Sequence, residues 1–172
     1  MVNLSLHLSQ QKIPLSTAKS MISLLGEFEA TADAKGRVLF PSALKRQLPP
    51  DSADKFVLNR GFEKQLNLYP YPVWKEETER LAHLNLFDKD SRTFYRMFHN
   101  GATELFVDGQ GRILIPQHLI SYAGIKKEIV FYAYSSRIEI WSLAEFKKAT
   151  NDKSIDVAAL AEKVMGNKDK QQ

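Results

Sequence analysis

The feature of this sequence that most constrains its fold is an internal repeat. The motif Asp-x-x-Gly-Arg occurs at residues 33–37 and again at 108–112, at a separation of 75 residues. Residues 26–44 aligned with residues 101–119 give eight identities over 19 positions, where unrelated sequences of ordinary composition give about one. Neither copy has enough apolar residues to bury a core alone, so we expect the two copies to pack together as a pseudo-dimer.

The hydrophobic pattern predicts the same order of elements in both copies. A strand of alternating apolar and polar residues leads into the Asp-x-x-Gly-Arg loop. A short return strand, stopped by a proline, then leads into a short helix. A second strand pair follows in each copy, and two helices connect the copies. The predicted segments are strands over 26–32, 37–40, 55–60, 65–69, 101–108, 112–115, 128–134 and 137–141, and helices over 42–48, 72–86, 91–100, 117–123 and 143–150.

These patterns divide the chain into four segments. Residues 1–23 are mostly polar and aperiodic, so we expect a flexible N-terminal extension there, with the functional protein beginning at Met21. The first repeat, with its helical connector, occupies residues 24–100, and the second repeat occupies residues 101–150. Residues 151–172 become polar and lysine-rich, and we expect them to form a frayed C-terminal tail.

The composition excludes several kinds of chemical site. Cysteine is absent, so the chain can form no disulfide, no thiolate zinc site and no cysteine nucleophile. The four histidines show neither HxxxH nor HExxH spacing, and no nucleotide-binding or hydrolase motif occurs. No apolar run approaches the roughly 18 residues of a transmembrane helix, and we expect no membrane partner. We therefore expect no enzyme activity, no cofactor, no metal and no small-molecule substrate.

The Asp-x-x-Gly-Arg loops allow two interpretations. In the structural one, each aspartate accepts hydrogen bonds from loop amides and orients the arginine, and the motif serves only the fold. In the functional one, the loops present cations to DNA. A two-stranded ribbon can enter the major groove, where arginine contacts guanine and lysine contacts phosphate. The net charge of +4 and the pI of about 9.2 are compatible with nucleic acid binding. The residues alone leave both interpretations open.

Two segments around the loops resemble the motif blocks of a known family. The MraZ family has two motif blocks that are similar to the strings LLGEFEATADAKGRVLFPSALKRQL and ATELFVDGQGRILIPQHLISYAGI. Members of this family are bacterial transcriptional regulators related to AbrB-type DNA-binding modules. The resemblance covers residues 24–150. It implies an α+β, β-rich fold, an internally duplicated AbrB-like double module (a swapped-hairpin β-barrel) with short flanking helices. It also implies ring-like homo-oligomers and association with DNA near a cell-division and cell-wall gene cluster.

The resemblance and the chemistry of the loops together assign roles to individual residues. The expected DNA contacts are Lys35, Arg37, Lys45, Arg46, Gln110 and Arg112. The expected loop-structuring residues are Asp33, Gly36, Asp108 and Gly111. Lys45 and Arg46 follow the first loop on the adjoining short helix, whereas the second copy has Ile120 where the family commonly has arginine. We therefore expect the second loop to contribute less to DNA binding than the first.

Two functions from different classes follow from these observations. The leading hypothesis is a sequence-specific DNA-binding transcriptional regulator, cytoplasmic and nucleoid-associated, that binds tandem short promoter repeats as a multivalent homo-oligomer. The alternative is a structural or partner-binding oligomer, antitoxin-like, whose loops serve only the fold. It would need a partner-binding tail in residues 151–172, where we find no strong amphipathic stripe. The apolar residues expected to support self-association are Leu81, Leu84, Leu86, Phe87, Phe94 and Phe98.

Overall fold

The computed structural model describes residues 22–52 and 54–166. The expected start at Met21, and all but the last two residues of the expected extension, therefore lie outside the described residues. The first copy and the connector form β1 (Leu24–Thr31), β2 (Arg37–Leu39), α1 (Ser42–Lys45), a 3-10 turn (Pro50–Ser52), β3 (Lys55–Arg60), β4 (Gln65–Pro70), α2 (Tyr71–Leu81) and α3 (Lys89–Phe98). The second copy and the tail form β5 (Thr103–Phe106), β6 (Arg112–Leu114), α4 (Gln117–Tyr122), β7 (Glu128–Ser135), β8 (Arg137–Ser142), α5 (Leu143–Thr150) and α6 (Val157–Met165).

The two copies exchange strands. The main sheet has six strands in the order β1-β7-β8-β4-β3-β5, so the leading strand of each copy pairs with a strand of the other copy. Phe28 of β1 lies opposite Phe131 of β7, and Leu105 of β5 lies opposite Phe56 of β3. The fold is therefore an internally duplicated, β-rich α+β structure, with the swapped arrangement that the AbrB-type resemblance implies.

The strand after each loop does not run back along the strand before it. The sequence pattern predicts β2 as the return partner of β1, but the described residues show only one isolated bridge there, between Val38 of β2 and Ala32, just after β1. β2 instead pairs antiparallel with β6, its equivalent in the other copy, and Val38 lies opposite Ile113. These two residues occupy equivalent positions of the repeat. A pseudo-two-fold axis therefore passes through their contact, and we call the β2–β6 pair the central ribbon.

One hydrophobic core lies beneath both copies. Val38 and Ile113 point inward from the central ribbon, each only 1% exposed, and they join a cluster that includes Phe56 of the first copy and Phe131 of the second. A smaller cluster consists of Val130, Trp141 and Phe146. Because the main cluster draws its residues from both copies, the expected pseudo-dimer is present within a single chain.

The connector helix α2 is shorter than its periodicity predicts. It ends at Leu81 rather than near residue 86, and the chain turns at Asn85, whose side chain accepts a hydrogen bond from the Phe87 amide at 3.0 Å. Asp88 then caps α3 by accepting a hydrogen bond from the Ser91 amide at 2.8 Å. Local side-chain acceptors thus set a boundary that hydrophobic spacing alone does not show.

The C-terminal segment contains a helix where the sequence predicts a frayed tail. Helix α6 begins at Val157, and Asp156 caps it by accepting hydrogen bonds from the amides of residues 158 and 159 at 3.0 and 3.1 Å. Its apolar residues Val157, Leu160 and Val164 recur at helical spacing, and all three are exposed. The expectation of a frayed tail is therefore wrong over Val157–Met165, where the chain forms a helix with apolar residues on one face. Within the described residues, no helix is long and apolar enough to cross a membrane.

The two loop glycines give a test of the swapped packing. Both have positive φ, +84° at Gly36 and +76° at Gly111, so alanine at either position adds backbone strain of about 1–2 kcal/mol. A Cβ at Gly36 would also clash with the Ile115 carbonyl oxygen, whereas the atom nearest to a Cβ at Gly111 would be 3.7 Å away. We expect Gly36→Ala to lower the free energy of unfolding clearly more than Gly111→Ala, measured by chemical denaturation. Equal losses would contradict the close approach of the second copy to Gly36.

Candidate nucleic-acid interface

The first loop is held by the carboxylate of Asp33. Its Oδ1 accepts hydrogen bonds from the backbone amides of Lys35 and Arg37, each at 2.9 Å, and its Oδ2 accepts one from Arg37 Nε at 2.6 Å. The backbone closes the turn, because the Gly36 amide donates to the Asp33 carbonyl at 2.9 Å. One side chain thus satisfies two loop amides and orients the guanidinium group at the same time.

The second loop has the same hydrogen-bonded frame. Asp108 Oδ1 accepts from the amides of Gln110 and Arg112 at 2.8 and 2.9 Å, and its Oδ2 accepts from Arg112 Nε at 3.0 Å. The Gly111 amide donates to the Asp108 carbonyl at 2.9 Å, as Gly36 does in the first loop. The four residues expected to structure the loops therefore lie where that role requires, and the two loops are geometrically equivalent.

The hydrogen bonds keep both loop carboxylates charged. The backbone amide of Arg37, followed by its guanidinium group, lowers the pKa of Asp33 below the ordinary value of 3.8. The backbone amide and then the guanidinium group of Arg112 lower the pKa of Asp108 in the same way. The Arg37 side chain remains 42% exposed and that of Arg112 31% exposed, so both cations can still reach a ligand.

The two loops lie at opposite ends of the central ribbon. The Phe40 amide donates to the Gly111 carbonyl and the Ile115 amide to the Gly36 carbonyl, both at 2.9 Å, so each loop is joined to the strand of the other copy. About four strand residues separate the two glycines along the ribbon, a distance on the order of 13 Å. At about 3.4 Å per base pair, this length corresponds to roughly four base pairs of DNA.

Of the two lysines expected beside the first loop, one lies there and the other does not. Lys35 is exposed in the loop itself and has no ion-pair partner within residues 22–52 and 54–166. Lys45 is bound to Asp54, with 2.7 Å between Nζ and Oδ1. The Asp54 carbonyl accepts from the Val107 amide at 3.0 Å, and Val107 immediately precedes the second loop. Lys45 therefore lies near the second loop rather than the first, as a consequence of the strand exchange.

The remaining two expected contacts are exposed. Arg46 follows α1 directly, and no ion pair to it occurs in the described part of the chain. Gln110 is exposed in the second loop at the position equivalent to Lys35. The first loop thus exposes a lysine at the position where the second loop exposes a neutral amide.

Helix α4 of the second copy covers the first loop. Gln117 Nε2 donates to the Ala34 carbonyl at 3.3 Å, and the Ile120 side chain lies where a Cβ on Gly36 would approach it to 2.8 Å. The sequence argument for weaker DNA binding by the second loop placed Ile120 beside that loop. This placement is wrong, because Ile120 lies beside the first loop. Strand exchange carries the short helix of each copy towards the loop of the other, and sequence proximity does not show this.

Two residues of this surface were not expected from the sequence. Leu39 and Leu114 lie on the outer face of the central ribbon, 62% and 55% exposed, beside Arg37 and Arg112. Strand alternation is the signal that identifies them, because residues two apart in a strand share a face. In the described residues no cluster of three or more His, Cys, Asp or Glu side chains could hold a metal ion.

Sequence comparison shows which known proteins this chain is similar to. The sequence model of a family described as "MraZ protein, putative antitoxin-like" matches residues 23–97 and again residues 97–168. A protein named "Transcriptional regulator MraZ" from Christiangramia forsetii is 45% identical over 150 residues, which cover 87% of this chain and 97% of the relative. Proteins of the same name from Clostridium acetobutylicum and Clostridium tetani are 41% and 40% identical over 140 residues, each covering 81% of this chain and 95% of the relative.

The lowered pKa of the loop aspartates predicts how stability depends on pH. A carboxyl whose pKa is lower in the folded state stabilises the fold above its ordinary pKa of 3.8, and this contribution is lost as the pH falls through the folded value. We expect the melting temperature of the wild-type chain to fall more steeply below about pH 4 than that of the double variant Asp33→Asn, Asp108→Asn. Parallel curves for the two proteins, recorded by circular dichroism, would show that the loops do not contribute.

Proposed function

This chain belongs to the MraZ family, whose relatives above are named transcriptional regulators, and we propose that it acts on transcription by binding double-stranded DNA through its two Asp-x-x-Gly-Arg loops. The observation that carries the proposal is the central ribbon, with a rigid loop at each end and Arg37 and Arg112 on its outer face. A site that is ordered before binding loses little conformational entropy when DNA binds.

The side chains of the ribbon and loops supply the contacts that DNA recognition needs. Arginine can donate two hydrogen bonds to the O6 and N7 atoms of guanine in the major groove, which suits Arg37 and Arg112. Lys35 has the charge and exposure to contact a backbone phosphate, and Gln110 can hydrogen-bond to a base edge. We assign Arg46 to a phosphate contact near the loops, whereas Lys45 would first have to leave Asp54.

Self-association would join several such ribbons, and an aromatic surface on the connector supports it. This surface consists of the contacting rings of Trp74, Phe94 and Phe98 on the connector, Phe62 in the adjoining β3–β4 turn, and the exposed Met97 of α3. Helix α3 buries none of its residues within the chain, and Phe62 and Met97 are 67% and 57% exposed. Apolar patches of this kind mark protein–protein interfaces in soluble proteins. We therefore propose a ring-like homo-oligomer in which the aromatic surface is covered by a second copy.

The proposed regulator would bind several short DNA repeats at once. One ribbon spans only about four base pairs, which is too few contacts for tight and selective binding. Ribbons held together in an oligomer gain affinity through effective concentration when the spacing of the repeats matches their geometry. The resemblance described above supports a promoter of a cell-division and cell-wall gene cluster as the target, and a cytoplasmic, nucleoid-associated location.

Removal of Arg37 separates DNA contact from a purely structural role. We expect Arg37→Ala to weaken DNA binding by about 1–3 kcal/mol for each engaged loop. Binding should be measured by electrophoretic mobility at two salt concentrations, on duplexes that the wild-type protein selects from a random pool. The melting temperature should change little, because Asp33 keeps its hydrogen bonds to the two loop amides. Arg112→Ala should weaken binding less, since Gln110 replaces Lys35 in that loop.

The matched control removes an arginine of equal charge outside the interface. Arg80→Ala on α2 removes a salt bridge to Glu77 in which the arginine is 72% exposed, and it should leave DNA binding unchanged. Intact DNA binding by Arg37→Ala, together with a lowered melting temperature, would contradict the DNA contact. That outcome would favour the alternative, a structural or partner-binding oligomer whose loops serve only the fold.

The aromatic surface gives a separate test of self-association. We expect light scattering of the wild-type chain to give a mass well above the monomer mass of 19.6 kDa. The double variant Phe94→Glu, Met97→Glu should give the monomer, because two charges cannot be buried in an apolar interface without partners. Leu25→Glu, at an exposed leucine on β1, is the control that should keep the oligomer. A wild-type monomer at micromolar concentration would exclude the proposed assembly.

A further inference from the structure

The outer face of the central ribbon carries leucines as well as arginines. The strand register places Leu114 directly opposite Arg37, and Leu39 directly opposite Arg112. Because the chain is duplicated, the same arginine–leucine pair occurs twice, related by the pseudo-two-fold axis. The residues between them, Val38 and Ile113, point to the opposite side and are buried.

These leucines do not serve the core. Leu39 and Leu114 are 62% and 55% exposed, and neither belongs to the clusters of buried residues in the described chain. A methyl group of Leu39 lies near Gly111, 3.7 Å from where a Cβ on that residue would stand, so this leucine reaches towards the second loop. Two equivalent, half-exposed leucines among arginines form an apolar contact surface on an otherwise charged face.

We propose that Leu39 and Leu114 recognise the C5-methyl groups of thymines next to the bases that the two arginines contact. The inference rests on the proposed DNA-binding function. The thymine methyl is the apolar group that the major groove presents, and leucine can contact it but cannot hydrogen-bond to any base. The arginine–leucine pairs would therefore select a thymine beside a guanine rather than a cytosine beside it.

The dimensions of the ribbon agree with those of the groove. Side chains directly opposite each other in an antiparallel pair have Cβ atoms about 4.5–5.5 Å apart. Successive base pairs are about 3.4 Å apart along the helix axis, and a ribbon lying along the groove places the leucine opposite an arginine beside it across the groove, over an adjoining base. Leu39 lies two residues beyond Arg37 on the same strand, about 6.6 Å away, which corresponds to roughly two base pairs. Each leucine thus has a thymine position defined by the arginine beside it.

The experiment removes only the C5-methyl group of thymine, by replacing thymidine with deoxyuridine. The full-length chain first selects duplexes from a random-sequence pool, and the selected duplexes are then resynthesised with deoxyuridine at single thymine positions. Affinity is measured by fluorescence anisotropy at one salt concentration. We expect about fourfold weaker binding for each contacted methyl group that is lost. Leu39→Ala should abolish this discrimination at one set of positions and Leu114→Ala at the other.

A matched variant and a measurement of the oligomer mass distinguish failure of the leucine role from failure of DNA binding. Leu25→Ala removes a leucine that is 77% exposed on β1, outside the ribbon, and should keep the full discrimination. If the wild-type chain selects and binds no duplex, the proposed function itself fails. If it binds thymine and deoxyuridine duplexes equally, DNA binding stands and the role of the leucines is overturned. The role is also overturned if Leu39→Ala retains the discrimination, or if it reduces the oligomer mass, because the leucines would then form an interface between copies.

Discussion

The antiparallel pairing of β2 with β6 is the contact on which the rest of this structure depends. It joins two equivalent strands across a pseudo-two-fold axis and points Val38 and Ile113 into one shared core. The same pairing fixes a loop at each end of a single ribbon, because the Gly36 and Gly111 carbonyls accept hydrogen bonds from the strand of the other copy.

The shared axis does not make the two loops identical in their surroundings. Both aspartates hold the same backbone frame, yet a Cβ at Gly36 would clash with Ile115 and Ile120, while a Cβ at Gly111 would make only an ordinary contact with Leu39. The short helices also differ in what they anchor. The Tyr122 hydroxyl lies 2.8 Å from the carbonyl oxygens of both Gly61 and Glu63 and shares its single hydrogen between them. The equivalent position in the first copy is Gln47, whose side-chain amide hydrogen-bonds to the Leu25 backbone. The duplication therefore preserves the loop geometry while allowing each copy a different local packing.

The proposed DNA surface and the proposed self-association surface lie on different elements. The ribbon and loops belong to the repeated unit, while the aromatic surface is built by α2, α3 and the β3–β4 turn, where Phe62 stacks on Phe94 and Trp74 on Phe98. A second copy could thus cover the aromatic rings without hiding the arginines. This separation is what multivalent binding requires, because each copy in an oligomer must keep its own contacts free.

Much of the fold followed from the sequence by itself. The 75-residue repeat determined the duplication, the alternation determined most of the strands, and the Asp-x-x-Gly-Arg spacing determined the loop frame, because a carboxylate can reach amides two and four residues ahead. These are local interactions within a few residues. The tertiary structure alone decided which strands pair and which helix covers which loop. Strand exchange is set by burial of a core that belongs to both copies, and local sequence carries no signal for it. For that reason Lys45 lies beside the second loop and Ile120 beside the first, the reverse of what their sequence positions indicated. The register alone decided that Leu39 lies opposite Arg112 and Leu114 opposite Arg37.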